Sequence, residues 1–294
     1  RMARVPEGAR IFHNPIGTAA GLRVDVGGTP VYALPGVPME LEAIFDESVA
    51  PDLEETFAGT EPLPSRVLRV FGLREAQVAE KLGDLLDRGR DPTVGVTVRN
   101  GIITITITGD RAGHHADSIR GELGRCVFGE GSETLATVVL HGLEERGLTL
   151  AVAESVTGGM LSSLLVDEPG ASAVLAGGVV AYTGDMKHEL LGVPKTILKR
   201  EGTVSAETTL RMARGVRKRL QAGVGLATTG VAGPDSDERG TPSGRGFIAV
   251  AGPGPGSKNE QVKRLVCRGD RNAVRRRFAW AALDLLRLRL QKGR

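Results

Sequence analysis

The chain has 294 residues, of which 40% are hydrophobic and 25% are charged, with a formal net charge of +3 at pH 7. This composition is typical of a soluble globular protein, and the length predicts two or three domains. No apolar run reaches membrane-spanning length and no signal-peptide pattern is present, so we expect a cytoplasmic protein that does not bind membranes.

Residues 1–63 predict part of a domain rather than a whole one. Strands are expected over 22–26 and 31–34, and Gly27-Gly28 predicts a hairpin turn between them. A helix over 40–45 follows. The stretch has too few apolar residues for an independent core.

Residues 64–130 predict a small α+β domain. Its expected elements are a strand over 67–71, a helix over 75–86, strands over 93–98 and 103–108, and a closing helix that carries Ile119, Leu123 and Val127. Asn100-Gly101 lies between the last two strands, and this dipeptide is the strongest short hairpin signal.

From residue 131 to 294, strands and helices alternate. Strands are predicted over 148–153, 177–182, 223–229, 245–251 and 260–267, and helices over 132–146, 158–167, 185–191, 205–220 and 271–290. This alternation favours a layered α/β fold with a partly parallel sheet.

The cysteines and histidines show no pattern of disulfides or metal ligands. Cys126 and Cys267 fall in separate apolar segments, which favours reduced, buried thiols. His114 and His115 are adjacent, but no third ligand stands at a metal-site spacing. We therefore expect no metal and no cofactor. The basic run 275–277 belongs to an amphipathic helix, and we interpret it as a solvated face rather than a nucleic-acid patch.

The turn over 153–159, Ala-Glu-Ser-Val-Thr-Gly-Gly, joins a buried strand to an amphipathic helix. The first N–H groups of such a helix lack intrahelical partners, and its dipole favours an anion. Ser155 and Thr157 add two hydroxyl groups there. A helix cap provided by Thr157 explains the turn equally well.

A second turn of this kind follows the strand over 223–229, at Thr229-Gly230-Val231-Ala232-Gly233. Ser155, Tyr182 and Thr229 each lie near the carboxyl end of a predicted strand, where open α/β sheets bind ligands. The residues that we expect to bind substrate lie in these two turns: Glu154, Thr157, Gly158, Gly159, Gly230, Ala232 and Gly233.

A serine at this edge needs a base, because its hydroxyl is a weak nucleophile at neutral pH. No histidine belongs to either turn. Lys187 is the candidate base if burial lowers its pKa, and Tyr182 could relay the proton or orient the lysine. The alternative is that Lys187 is an ordinary surface lysine.

The run 153–159 resembles the Ala-Glu-Ser-Cys-Thr-Gly-Gly signature of the CinA (competence/damage-inducible protein) C-terminal domain. Further matches follow in order at 169–173, Val180-Ala181-Tyr182 with Lys187, 191–194, 202–207 and 229–234. The resemblance implies three domains: residues 1–63 as the end of a molybdopterin-binding-like domain, 64–130 as a KH-like domain, and 131–294 as the CinA C-terminal domain. The family's N-terminal domain is longer than 1–63, so we do not expect its ADP-ribose pyrophosphatase activity.

CinA C-terminal domains are similar to nicotinamide-nucleotide amidases, which hydrolyse nicotinamide mononucleotide to nicotinate mononucleotide and ammonia. The resemblance implies that Ser155, Tyr182, Lys187 and Thr229 are catalytic and that the protein is a homodimer. Val156 replaces the family's Cys, and Thr183-Gly184 replaces its Ser-Asn after the tyrosine. The loop over 234–246 also departs from the family's more Gly-rich run.

Two other functions stay open from the sequence. One is an interaction protein associated with competence or DNA damage, and the other is an inactive fragment of a CinA-type pyrophosphatase. A KH-like domain suggests RNA, but KH modules clamp nucleic acid on a Gly-x-x-Gly loop. The only such spacing in the predicted KH-like domain, 121–124, falls inside a predicted helix and carries Glu122. We expect a small-molecule substrate and no nucleic-acid partner.

Overall fold

The computed structural model describes residues 4–87, 89–253 and 259–291. The chain forms two compact units, residues 1–62 and residues 63–294.

The first unit pairs a small antiparallel sheet with two helices. The strands are β1 (Arg10–Phe12), β2 (Gly21–Val26) and β3 (Thr29–Ala33), in the order β1-β2-β3. The helices are α1 (Pro38–Ile44) and α2 (Ala50–Thr56), joined by a π-helical turn over Phe45–Val49. The hairpin predicted at Gly27-Gly28 is present, with positive φ at both glycines.

The core of this unit is small and partly ionic. Its fully buried apolar residues are Phe12, Ile44 and Val49. Asp52 is also buried, and it accepts hydrogen bonds from Arg23 at 2.7 Å and from the Tyr32 hydroxyl at 2.6 Å. Helix α2 was not predicted because residues 46–56 are mostly polar and show little apolar periodicity.

The second unit begins with a four-stranded antiparallel sheet covered by two helices. Its elements are β4 (Ser65–Val70), α3 (Glu75–Leu82), β5 (Thr93–Arg99), β6 (Ile102–Thr108), α4 (Ala112–Leu123) and β7 (Val127–Glu130). The strand order is β5-β6-β4-β7. The hairpin predicted at Asn100-Gly101 joins β5 to β6.

The structure corrects the predicted closing helix of this part. We expected Val127 on the same helix face as Ile119 and Leu123, but Val127 begins β7. The helix ends at Leu123 because Gly124 adopts a positive φ of 54°, which breaks the helical backbone. Residues 121–123 of the Gly-x-x-Gly spacing belong to α4 and only Gly124 lies beyond it, so these four residues do not form the loop of a nucleic-acid-binding KH module.

The rest of the unit alternates strands and helices. The helices are α5 (Leu135–Glu144), α6 (Met160–Val166), α7 (Gly184–Leu191), α8 (Lys195–Glu201), α9 (Ala206–Arg219) and α10 (Arg271–Gln291). The strands are β8 (Leu150–Glu154), β9 (Leu175–Val180), β10 (Val224–Gly230), β11 (Arg245–Ala251) and β12 (Glu260–Val266). Helix α8 was not predicted.

These five strands form one sheet in the order β12-β11-β10-β8-β9. Strand β8 is parallel to both β9 and β10, whereas β11 is antiparallel to β10 and β12. The predicted fold class, a layered α/β domain with a partly parallel sheet after a small α+β domain, is confirmed.

Alternating residues of the central strands pack into two different cores, as the pleat of a strand requires. Leu150 and Val152 of β8 pack with α5, α6 and α10, whereas Ala151 and Ala153 pack with α9. The second side is lined by alanines because α9 approaches the sheet closely. At Gly225 a Cβ atom would lie 2.0 Å from the backbone oxygen of Ala213.

None of the helices within the described ranges is both long enough and apolar enough to cross a membrane.

Candidate active site

The carboxyl ends of three strands of the α/β sheet lie at one cavity. Ser155 follows β8, Tyr182 lies two residues after β9, and Thr229 is near the end of β10. Together with Lys187 and Arg271 they line a cavity of about 410 Å³. The structure therefore brings the four residues expected to be catalytic to one place.

Ser155 and Lys187 are in direct contact inside this cavity. The Lys187 Nζ donates to Ser155 Oγ at 3.0 Å and also to the carbonyl oxygens of Ala181 at 3.0 Å and Tyr182 at 3.1 Å. Only 1% of Lys187 and 6% of Ser155 is exposed. No carboxylate forms an ion pair with Lys187 in the part of the chain that the structure describes. Lys187 is thus not a surface lysine.

Burial changes the acidity of this lysine. Loss of hydration disfavours the ammonium form and lowers the pKa of Lys187 from 10.5 to about 8. At pH 7 an amine with that pKa is neutral about a tenth of the time, which is enough to act as a base. Ser155 and Lys187 therefore combine a direct hydrogen bond with a lowered lysine pKa, as a serine nucleophile and its base require.

Helix α7 places Lys187 at this position. The helix begins after Thr183, whose hydroxyl accepts a hydrogen bond from the Met186 N–H at 3.2 Å. Threonine and serine both act as N-caps, so Thr183 can do here what a serine does in the family's Ser-Asn pattern. A Cβ at Gly184 would make only an ordinary contact, at 3.4 Å from Thr203. The departure at Thr183-Gly184 therefore leaves the position of Lys187 intact.

Tyr182 is connected to this pair through its backbone, not its ring. Its carbonyl accepts from Lys187, whereas its hydroxyl accepts from Arg271 Nη2 at 2.9 Å. Arg271 Nη1 also donates to the carbonyl of Gly233 at 2.7 Å. The guanidinium therefore ties Tyr182 to the second turn. The Tyr182 hydroxyl makes no direct hydrogen bond with Lys187 in this structure, so the expected proton relay between them has no direct path.

The second turn forms the opposite wall. Thr229 is fully buried, and its hydroxyl donates to the carbonyl of Thr203 at 3.0 Å. Gly230, Ala232 and Gly233, which we expected to bind substrate, all line the cavity. A side chain at Gly230 would be too close to its surroundings, since a Cβ there would lie 2.9 Å from the Arg245 carbonyl oxygen.

The first turn is arranged differently from our expectation. Glu154 is fully buried and is not part of the cavity wall. Its carboxylate accepts from the amides of Gly159 at 2.9 Å, Leu161 at 3.0 Å and Ser162 at 2.8 Å, and from the Ser162 hydroxyl at 2.5 Å. Glu154 thus occupies the amino end of α6, where the sequence had suggested an anionic ligand.

Thr157, Gly158 and Gly159 also lie outside the cavity wall. The Thr157 hydroxyl bonds the Thr228 hydroxyl at 2.7 Å instead of capping α6. The Thr157 carbonyl accepts from Arg275 at 2.9 Å and 3.2 Å. Gly158 and Gly159 supply the positive φ angles of the turn, 57° and 95°. These residues shape the turn that follows Ser155, and Glu154 takes the capping role considered for Thr157.

We predict that Glu154→Ala destabilises the protein strongly. Four donors would lose a buried acceptor, and hydrogen bonds to a charged group contribute about 1.5–3 kcal/mol each. The expected loss in the free energy of unfolding is about 3 kcal/mol or more by denaturant titration. Glu144→Ala, at an exposed position of α5, is the matched control. A Glu154 variant as stable as that control would contradict the capping role.

Two parts of the site were not found from the sequence. Arg271 is the first residue of α10, and its sequence context does not distinguish it from the other arginines of that helix. The loop residues Asp235, Ser236 and Asp237 also line the cavity. The Asp237 carboxylate orders this loop by accepting from the amides of Arg239 and Thr241. The only sequence signal for this loop was its departure from the family's more Gly-rich run over 234–246.

Comparisons with known proteins agree with this architecture. The CinA C-terminal domain family matches residues 132–290, and the Damage-inducible protein CinA KH domain family matches residues 65–129. The chain belongs to the CinA family. A CinA-like protein of Frankia casuarinae is 42% identical over 98% of this chain and 68% of its own length. A putative competence-damage inducible protein of Desulforamulus reducens is 38% identical over 99% of this chain and 72% of its own length.

Solved structures of CinA proteins match about half of the chain. The competence damage-inducible protein A (ComA) of Klebsiella pneumoniae has a TM-score of 0.52 and 30% identity, covering 54% of this chain and 97% of that protein. The competence/damage inducible protein CihA of Agrobacterium tumefaciens has a TM-score of 0.50 and 32% identity, covering 53% of this chain and 93% of that protein.

Proposed function

We propose that this CinA-family protein is an amidohydrolase that converts nicotinamide mononucleotide to nicotinate mononucleotide and ammonia. The observation that carries the proposal is the buried contact of 3.0 Å between Lys187 Nζ and Ser155 Oγ, with the pKa of the lysine lowered to about 8. A neutral amine beside a serine hydroxyl is the arrangement that activates serine without histidine.

The reaction can be written with these two residues. Neutral Lys187 takes the Ser155 proton as Oγ attacks the carboxamide carbon. The tetrahedral intermediate collapses when Lys187 returns the proton to the leaving nitrogen, which departs as ammonia and leaves an ester on Ser155. Water then attacks the ester with Lys187 as base, and the acid and the free serine are released.

The amide of Val156 is the best candidate for stabilising the negative oxygen of the intermediate. Val156 follows the nucleophile and lines the cavity, and its N–H has no acceptor within the described ranges. A backbone N–H directly after a nucleophile is a common oxyanion donor. The amides of Gly159 and Leu161 are not available for this role, because they donate to the Glu154 carboxylate.

Arg271 is the proposed contact for the phosphate of the substrate. It borders the cavity and uses one Nη on the Gly233 carbonyl and the other on the Tyr182 hydroxyl. A guanidinium has five N–H donors, so donors remain for an anion. The cavity of about 410 Å³ is within the range that holds a small ligand.

A purely interaction-based role does not account for this site. A buried lysine without a carboxylate partner is costly for folding, and an interaction surface gains nothing from it. The same cost argues against an inactive fragment. Strongly lowered pKa values in a cavity are typical of functional groups.

The direct test is ammonia release from nicotinamide mononucleotide by the purified protein. We expect stoichiometric ammonia and nicotinate mononucleotide, and no release from nicotinate mononucleotide itself. An inactive protein that still binds the substrate would support the inactive-fragment alternative. A protein that neither binds nor hydrolyses nicotinamide mononucleotide would refute the proposal.

We predict that hydrolysis survives treatment with EDTA. The proposed chemistry needs only a serine, a lysine and backbone amides. Within the described ranges, no group of three or more His, Cys, Asp and Glu residues could hold a metal ion. The measurement is ammonia release before and after chelation. Complete loss of activity that a divalent cation restores would contradict the serine–lysine scheme.

We also propose the division into domains 1–63, 64–130 and 131–294. The cavity is lined by residues of the second compact unit, 63–294. We therefore predict that a protein lacking residues 1–62 folds and keeps its amidase activity. Circular dichroism and ammonia release, compared with the full chain, provide the check. An insoluble or inactive truncated protein would show that the first unit is needed.

A further inference from the structure

A second cavity, of about 280 Å³, lies between the four-stranded sheet and helix α10. It shares no lining residue with the cavity that contains Ser155. Its floor is a row of three paired residues on neighbouring strands: Thr97, Thr104 and Arg69. Leu68 and Ile103, which precede Arg69 and Thr104, pack into the core beneath α3 and α4. Because side chains alternate along a strand, the row lies on the opposite face of the sheet.

The cavity is positively charged. Arg69 and Arg99 line it, and no carboxylate does. Arg69 donates to the Thr104 hydroxyl at 2.8 Å, and its Nε is buried without an acceptor. The Arg99 side chain makes no hydrogen bond or ion pair within the described ranges. Two arginines without a counter-ion favour an anionic ligand.

Aromatic rings provide the other wall. Trp280 of α10 and Phe128 of β7 both line the cavity. The indole Nε1 of Trp280 is buried and has no acceptor in the part of the chain that the structure describes. Buried N–H groups are nearly always paired, so this donor and Arg69 Nε mark a place where acceptors are missing. Planar rings stack well on such side chains.

We propose that this cavity binds a small phosphorylated aromatic compound, with the chemistry and size of a nucleoside monophosphate. Arg69 and Arg99 bind the phosphate, and the aromatic ring of the ligand packs against Trp280 and Phe128. The volume is close to the lower limit of about 300 Å³ for ligand pockets, so the occupant is no larger than a mononucleotide.

A longer nucleic acid fits the site less well. Proteins that bind single strands present an open, positively charged groove with successive stacking platforms. Here α10 and the start of α5 cover the sheet face, as Trp280 and Leu135 line the cavity from those helices. Arg276 of α10 also donates to the Asn100 side chain at the edge of the cavity.

The chain carries its own reporter for this site. Trp280 is its only tryptophan, so the intrinsic tryptophan fluorescence reports on the cavity. We expect AMP to change this fluorescence saturably. Adenosine lacks the phosphate and should bind at least about tenfold more weakly, since a charged hydrogen bond is worth at least that factor. Inorganic phosphate lacks the aromatic ring that packs against Trp280 and Phe128 and should also bind more weakly than AMP.

Variants of the two arginines localise the effect. Arg99→Met, and the double variant with Arg69→Met, should weaken AMP binding at least about tenfold and leave adenosine binding nearly unchanged. Arg66→Met is the matched control, because Arg66 is exposed on the same strand as Arg69 and does not line the cavity. Arg99 is exposed, so its replacement does not threaten folding.

Three results would overturn the proposal. The first is no saturable change with millimolar AMP. The second is a change that is equally strong in the Arg69/Arg99 double variant, which would place the nucleotide elsewhere. The third is binding of a single-stranded oligonucleotide without binding of AMP, which would make the face a nucleic-acid site.

Discussion

Ser155→Ala is expected to abolish amide hydrolysis while leaving substrate binding nearly unchanged. The variant removes the attacking oxygen but keeps Arg271 and the second turn of the cavity. Removing a nucleophile that acts in a unit with its base costs roughly three to six orders of magnitude in kcat. Turnover is measured as ammonia release, and binding of nicotinamide mononucleotide is measured by calorimetry.

The double variant tests whether the two residues act together. Lys187→Ala alone should cost about as much as Ser155→Ala, and the combination should be hardly worse than either, because residues of one catalytic unit are strongly non-additive. Additive losses would show that the two side chains contribute independently. They would contradict a nucleophile–base pair.

A purely structural role for Ser155 predicts a different outcome. If Ser155 only supports the turn, Ser155→Ala should lower the free energy of unfolding by about 1 kcal/mol and leave kcat unchanged. Ser163→Ala, at an exposed position of α6, controls for the loss of a hydroxyl nearby. Substantial residual turnover in Ser155→Ala would refute the assignment as nucleophile.

The sequence predicted the layout of the α/β sheet because its strands and helices carry clear periodic patterns. Buried strands such as β8 and β10 are short apolar runs that end in hydroxyl- and glycine-rich turns. Such strand ends meet at one edge of a sheet, so the sequence alone predicts that Ser155 and Thr229 lie close together.

Polar contacts between distant segments could not be predicted in the same way. The sequence places Glu154 next to the nucleophile, but it does not reveal that its carboxylate folds back onto the α6 amides. The contact of Arg271 with Tyr182 joins residues 89 positions apart. Helix α8 was missed for a local reason, since its seven residues contain no fully buried side chain and show little periodicity.

Lys187→Met is expected to stabilise the protein at neutral pH while abolishing its activity. The wild-type lysine has a pKa of about 8 in the folded state and 10.5 as a free side chain. Below pH 8 the amine is protonated in both states, and burying the charge costs the folded state about 3 kcal/mol. Methionine fills similar space without the charge.

The stability gained by Lys187→Met must be smaller than the cost of about 3 kcal/mol for burying the charge. Three acceptors, Ser155 Oγ and the carbonyls of Ala181 and Tyr182, lose their donor in the variant. The loss of these three hydrogen bonds offsets most of the relief, so we expect a net increase of about 1 kcal/mol in the free energy of unfolding at pH 7. Lys195→Met, at an exposed position of α8, should change little.

The pH dependence gives the sign of the effect. As the pH rises from about 8 towards 10.5, the folded wild type loses its proton before the unfolded chain does, so the wild type becomes relatively more stable. The advantage of Lys187→Met is therefore largest below pH 8 and disappears above pH 10.5. Denaturant titrations of both proteins across this range measure it.

The activity of the wild type should follow the same ionisation. Because only neutral Lys187 can take the Ser155 proton, kcat/KM should rise about tenfold per pH unit and level off near pH 8. A Lys187→Met variant that is less stable than the wild type at pH 7, with a difference that does not change by pH 10.5, would show that the three acceptors keep the lysine charged. In that case Lys187 could not serve as the base, and Ser155 would need another one.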